Sequence, residues 1–336
     1  MDLREIVIRD FKNSGGSTRN IHLFYQFFGQ DPTTSPVVLV AHSLTGNSQV
    51  TGDDGWWKEL IGPGKVIDTD TYSILAFNMP GNGVGGQEHL IDNYRDFNLG
   101  DIARLYREAI ENLGFSRIFA ALGGSIGGAL LWELAVLKPD LIEHLIPIAT
   151  DLRATDWVIA QCRVQEAILN NSKDPVKDAR MHAMTIYRNP QSLTTKFNRR
   201  KRPDSLRFEV ENWLEFHGDQ LHQRFTLASY RLMNHLLATI DVSEGAEHPW
   251  LKVSRIKGDI CLIGIDSDLL FLPGEIRSTH ETLRQFKENV SYKEISSKHG
   301  HDGFLIEYPQ LIEILEPIFK ARGTHEKNQY SSFRNR

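Results

Sequence analysis

Cysteine is scarce in this sequence, with two in 336 residues. Cys162 and Cys261 stand far apart and match no metal-ligand spacing. They read as buried thiols of a chain kept in a reducing cytosol. Excess basic charge is also lacking. Lys and Arg total 38 against 43 Asp and Glu, a net charge of −5, which argues against a nucleic-acid or anionic-membrane surface. No apolar run approaches the ~18 residues a membrane span needs. The charged opening MDLREIVIRD lacks the apolar stretch of a secretory signal, so a soluble cytoplasmic protein is expected. P-loop, H-E-x-x-H and paired C-x-x-C spacings are missing, and neither a metal nor a bound cofactor is expected. What is present, 40% hydrophobic and 24% charged residues, is ordinary globular usage. The length suits two domains, or one large α/β domain carrying an insertion.

The apolar runs supply the frame. Ser35–His42, Tyr72–Asn78, Arg117–Leu122 and Leu141–Thr150 are continuous runs of the kind buried on both faces of a sheet. Between them, Asp101–Leu113 and Ile126–Leu137 carry helical spacing and end at Gly114 and before Pro139. Strand and helix in alternation predict a mostly parallel sheet covered on both faces. From about residue 151 to 245 strand-like runs vanish and amphipathic helical stretches replace them. The basic stretch Asn198–Arg202 within them reads as a solvated loop. Strands return at Asp259–Gly264 and Val290–Ile295. A closing helix over Pro309–Lys320 precedes a polar tail. The expected division is a core of 1–150 and 246–322, a helical lid of 151–245, and a loose tail of 323–336.

Gly123-Gly-Ser-Ile-Gly127 fits G-x-S-x-G, with a buried strand before it and a helix after. In that context the serine occupies a tight strand-to-helix turn, and the helix N-terminus faces charge that forms beside it. Ser125 is therefore the candidate nucleophile, and a base and an orienting acid should follow in the order acid, then histidine. Asp266 and Asp268 follow one strand; His299 and His301 follow the next. Position alone separates neither pair. His144 sits mid-strand and reads as a packed residue, and the doubled Trp56-Trp57 reads as core packing. Gly81-Asn-Gly-Val-Gly-Gly86 satisfies G-x-G-x-x-G, but polar residues follow where a dinucleotide site needs a helix to open.

Five further stretches are more specific than the serine motif: HSLTGNS (42–48), GWWKELIGPGKVIDTDTY (55–72), GGSIGG, DSDLLF and GHDGFL. Together they resemble the homoserine O-acetyltransferase family of α/β-hydrolase-fold acyltransferases, over about Val37 to Ile312. The resemblance implies an α/β-hydrolase fold with Ser125 as nucleophile, Asp268 as the acid and His301 as the base. It also implies an oxyanion hole from the backbone N–H groups of Leu44 and Ile126. In the insertion, Ala179–Tyr187 is similar to a family helix whose arginine and tyrosine line the pocket. Arg180 would pair the amino-acid carboxylate beside Tyr187, and Asp302 would bind the α-amino group. The implied reaction is acyl transfer, acetyl by preference, from acyl-CoA to homoserine or a related amino acid. It would run ping-pong through an acyl-serine in methionine biosynthesis, in an enzyme that the resemblance suggests is dimeric. A serine esterase or thioesterase is the alternative, then a non-catalytic binding protein of the same fold.

The chain departs from the family pattern in two places. Met79–Gln87 replaces the usual Gly-Ser/Thr-Thr-Gly-Pro loop, and Arg224-Phe-Thr-Leu-Ala-Ser stands where Arg-Phe-Asp-Ala-Asn-Ser is common. With four glycines in nine residues, the first of these is expected to leave the acyl pocket roomier or wetter.

Overall fold

Six of the apolar runs become the parallel centre of one sheet. The computed structural model describes residues 2–203 and 205–331, with side chains described through Lys320. The central strands are β3 (Val37–Ala41), β6 (Ser73–Phe77), β7 (Ile118–Gly124), β8 (Ile142–Ile148), β9 (Asp259–Ile265) and β10 (Val290–Ile295). The sheet order is β1-β2-β6-β3-β7-β8-β9-β10. The first two, β1 (Arg4–Lys12) and β2 (Thr18–Gly29), form an antiparallel hairpin on one edge, joined antiparallel to β6. No apolar run in the sequence announces this hairpin, because β1 buries only Ile8 and Phe11 and the buried residues of β2 are interspersed with exposed and half-buried ones. A small parallel pair, β4 (Ile61–Gly62) and β5 (Ile67–Asp68), lies apart.

Alternation along β3 shows how the two faces divide. Val37, Leu39 and Ala41 join the core beneath α1 (Leu99–Asn112), α2 (Ile126–Leu137) and α9 (Pro273–Leu283). Val38 and Val40 join the opposite core, with Trp57 and with Leu311, Leu315 and Phe319 of α10 (Tyr308–Ser331). Trp57 is fully buried and donates its indole N–H to the Phe304 carbonyl (3.2 Å), so the doubled tryptophan does pack the core. His144 likewise packs, its ring edge-on to Phe119 at 5.2 Å. The closing helix runs past Lys320 to Ser331, into the stretch that the sequence reads as a loose tail. The rest of that tail, 332–336, lies outside the described residues.

Between β8 and β9 the chain is helical: α3 (Asp156–Asn171), α4 (Pro175–Tyr187), α5 (Pro190–Phe197), α6 (Glu209–His222), α7 (Leu227–Ala238) and α8 (Pro249–Ser254). The stems leading into and out of α3–α7 are tied together. Ala154 N–H donates to the Ile240 carbonyl (2.8 Å) and Val242 N–H to that of Leu152 (3.0 Å). The basic stretch after α5 is an exposed turn in which Asn198 and Arg199 take positive φ (43° and 56°). No helix among the described residues is long and apolar enough to cross a membrane.

Candidate active site

Every sequence-predicted catalytic residue lies just beyond the carboxyl end of a parallel strand, where open α/β sheets place their sites. Leu44 follows β3, Ser125 follows β7, Asp268 follows β9 and His301 follows β10. Strand register brings the loops together. Ala41 pairs with Gly123, and Ile295 pairs with Ile265.

Ser125 caps α2 with φ 58° and ψ −133°, a conformation that a side-chain-bearing residue adopts only when its surroundings impose it. Those surroundings are backbone. A Cβ on Gly127 would lie 2.5 Å from the Ala41 carbonyl oxygen and 2.6 Å from that of His42. Only glycine lets the first turn of α2 press so closely on the end of β3. The Ser125 N–H is held by the Ile148 carbonyl at 2.9 Å. The side chain projects at the head of α2, where the Ile126 N–H belongs to the set without an intrahelical acceptor. Leu44 stands three residues beyond the end of β3, two after His42, whose carbonyl faces Gly127.

The structure separates the pairs that position left open. His301 Nδ1 lies 2.7 Å from Asp268 Oδ2, both groups buried. The other Asp268 oxygen accepts from the N–H groups of Leu270 (2.7 Å) and Phe271 (3.1 Å), which fix the carboxylate. Asp266 instead ties two loops, accepting from Ser297 N–H (2.9 Å) and Ser296 Oγ (2.8 Å). His299 turns away to accept from Arg188 at 3.0 Å. Burial pushes the His301 imidazole down, but the adjacent Asp268 charge and hydrogen bond, with Asp302, carry it above its usual value. Phe304 joins the base to the elbow: its ring fills the space where a Gly124 Cβ would stand (2.4 Å) and lies 5.6 Å from the His301 ring. No hydrogen bond joins Ser125 Oγ to His301 among the described residues; such contacts commonly tighten only with substrate bound.

The insertion supplies the rim. Tyr187, at the end of α4, lies 5.5 Å from the His301 ring, and the Arg180 guanidinium lies 5.6 Å from the Tyr187 ring centroid. Arg180 forms no ion pair among the described residues. Asp302 forms one with Arg188 (3.1 Å). Burial raises the Asp302 carboxyl, opposed by Arg188, Arg180 and His301. Beyond them, Arg188 and Lys196 flank the Trp213 ring at 5.8 and 5.1 Å. His217, packed on Trp213 at 4.5 Å, is pushed down to about 4 by burial and by Arg180, Arg188 and Lys196. Cations crowd this rim.

The comparisons with known proteins bear on this arrangement. A model of the alpha/beta hydrolase fold family matches residues 36–308. The homoserine O-acetyltransferase of Symbiobacterium thermophilum is 32% identical over 346 residues, spanning 91% of this chain and 89% of that one. That of Salinibacter ruber is 32% identical, spanning 90% and 93%. The chain belongs to the homoserine O-acetyltransferase family. It is an enzyme of that type. Among solved structures, a homoserine O-acetyltransferase from Staphylococcus aureus aligns with TM-score 0.81 at 24% identity, over 94% of each chain. Esterase E22 aligns with TM-score 0.83 at 17% identity, over 95% of this chain and 99% of its own. At these identities the likeness is one of fold.

Within this family member, three residues that the sequence did not single out as functional hold the site in shape. His42 is fully buried: its Nδ1–H donates to the Ser43 carbonyl (2.7 Å) and its Nε2 accepts from Met79 N–H (2.9 Å). Burial drives it down to about 4, so it stays neutral and pins the Leu44 loop to the Met79 loop. Arg224 donates to the Thr45 carbonyl at 2.8 Å and braces the same loop from the insertion. Arg188 holds both Asp302 and His299. The only advance signals were the histidine opening HSLTGNS and the Arg-Phe pair.

The glycine-rich loop is packed at its start. Met79–Asn82 is buried, not open. A Cβ on Gly81 would meet Leu232 at 2.5 Å, and one on Gly85 would meet the Phe24 ring at 2.1 Å. The small residues admit side chains from α7 and β2, so the volume is occupied by neighbours. A cavity of about 20 Å³ remains beside Leu44, lined also by Cys162, Ile186, Tyr187, Tyr230 and Leu270. That is room for roughly one water or a very small group.

Proposed function

We propose that the protein transfers an acetyl group from acetyl-CoA to the side-chain hydroxyl of homoserine, a step toward methionine, through an acyl-Ser125 intermediate. The observation that carries this reading is the buried Asp268–His301 pair in the loops that follow the parallel strands, as Ser125 does, with Tyr187 beside the His301 ring.

His301 Nε2 takes the Ser125 proton as Oγ attacks the thioester carbonyl. The N–H groups of Leu44 and Ile126 receive the oxyanion; a lost donor of this kind typically costs about 10²–10³ in rate. The C–S bond breaks, the thiolate collects the proton from His301 and CoA departs. Homoserine then enters, His301 takes its hydroxyl proton, and the new alkoxide attacks the acyl-serine. Ser125 Oγ leaves and recovers the proton. Release of the first product before the second substrate enters makes the kinetics ping-pong. Arg180 pairs the acceptor carboxylate with its two-pronged guanidinium, and Asp302 receives the ammonium. The cationic rim of Arg188 and Lys196 around Trp213 suits the phosphates of a CoA donor.

The competing fate of an acyl-serine is hydrolysis, and α4 with α7 excludes water from one side of the intermediate. A thiol-release assay crossing acetyl-, propionyl- and succinyl-CoA with homoserine, serine and water tests the whole reading. The expected result is O-acetylhomoserine and free acetate in a ratio well above one at saturating homoserine. A ratio well below one would establish the esterase instead.

A further inference from the structure

Far from Ser125 in the chain, three metal-ligating side chains converge from three segments. Glu5 of β1 and His22 of β2 share one face of the hairpin, because Glu5 pairs with Phe24 and Val7 with His22. Glu5 Oε1 and His22 Nδ1 are in direct contact. His89, in the single helical turn Gln87–His89, lies over that face. Its ring is 4.5 Å from the His22 ring and 5.1 Å, edge-on, from Phe24. One ligand atom from each of the three lies within 4.8 Å of the others. Glu88 Oε1 stands 3.7 Å from His89 Nε2 as a further oxygen donor.

We propose that Glu5, His22 and His89 bind a zinc-like divalent transition metal that staples the end of the glycine-rich loop to the N-terminal hairpin. Two imidazoles and a carboxylate are the donor set of zinc and its neighbours, with Glu88 or water completing four-coordination. A three-ligand tetrahedral set needs donor atoms ~3.3 Å apart at metal–ligand distances of about 2.0–2.2 Å, which small side-chain rotations supply here. Outside the active site, the remaining His–carboxylate contacts among the described residues, His144 with Asp259 (3.4 Å) and His222 with Asp174 (3.1 Å), each bring a single imidazole. The backbone beneath is already seated, since Gly85 lies against the Phe24 ring and Met79, at the other end of the loop, is held by His42. The metal's role is therefore structural: it closes the loop on the hairpin, away from the reacting atoms.

Isothermal titration of the chelator-treated full-length protein with ZnCl₂ tests this, with Co²⁺ absorption reporting coordination geometry. One high-affinity site and an intense tetrahedral-type Co²⁺ spectrum are expected, together with a rise in Tm on adding Zn²⁺. The double variant His22→Ala/His89→Ala should lose the site and the Tm response, and Glu5→Gln should weaken binding by about 10-fold or more. If the double variant is poorly folded, His22→Asn and His89→Gln singly should each give the same loss. Zinc binding of unchanged stoichiometry and affinity in these variants, or no binding by the wild type, overturns the proposal.

Discussion

Around Ser125 the chain is held by backbone pressed on backbone, whereas the rim that α4 and α6 raise over it is held by charged side chains. The elbow depends on Gly127 against the Ala41 and His42 carbonyls, on strand register and on the buried His42. The rim depends on Arg188 reaching both Asp302 and His299, and on cations set against Tyr187 and Trp213. Close packing of the first kind is stiff and leaves one geometry. Long side chains on half-buried helices adjust more readily and change the local charge when replaced. The site therefore separates its tasks. The sheet ends fix the nucleophile, base and oxyanion donors, and the insertion sets which molecule is recognised.

The comparison makes graded predictions. Ser125→Ala and His301→Ala remove chemistry and should each lower kcat by about 10⁴ or more, with the fold intact by circular dichroism. His299→Ala should stay within about 10-fold in kcat, because its partner is Arg188 and not Asp268; a reversed order of the two histidines would break the assignment of the base. At the rim, Arg180→Lys should raise the KM for homoserine by about 10-fold or more while sparing the burst of acyl-enzyme, since charge survives and the fork does not. An equal loss in both half-reactions would place Arg180 in the scaffold. For the elbow, Gly127→Ala should reduce stability by about 1–3 kcal/mol through overpacking, read by chemical denaturation.

The smallest effect is in pH. His301 must be neutral to act as base, and its pKa is raised above 6.5. The acid limb of kcat/KM should therefore have its midpoint above 6.5, activity falling as pH drops through it. Asp268→Asn removes the charge and hydrogen bond that raise it, so the limb should move to lower pH in the residual activity.

Much of this was legible before any tertiary contact was known. The buried strands, the helix after Ser125 and the helical insertion are local patterns, each carried by neighbours in sequence. The hairpin β1–β2 was not legible, because an edge half open to solvent leaves no continuous apolar run. The packing of the glycine-rich loop was not legible for a related reason: composition shows how little volume a segment brings, not which neighbours move into it. Leu232 and Phe24 arrive from elsewhere in the chain.

Residue type and spacing determined that this chain folds as an α/β hydrolase with a serine elbow, since apolar periodicity and a G-x-S-x-G turn act over a few residues. Position within the sequence left Asp266 beside Asp268 and His299 beside His301 as equals, and the family resemblance chose between them. The tertiary structure supplies the physical grounds for that choice. Two residues' difference within a loop turns a side chain toward the sheet end or toward the insertion, and the choice rests on partners more than a hundred residues away, as Arg188 is from His299. Which arginine lies over Tyr187, and which is paired with Asp302, follows from the same long-range packing of α4 on the turn that carries His301.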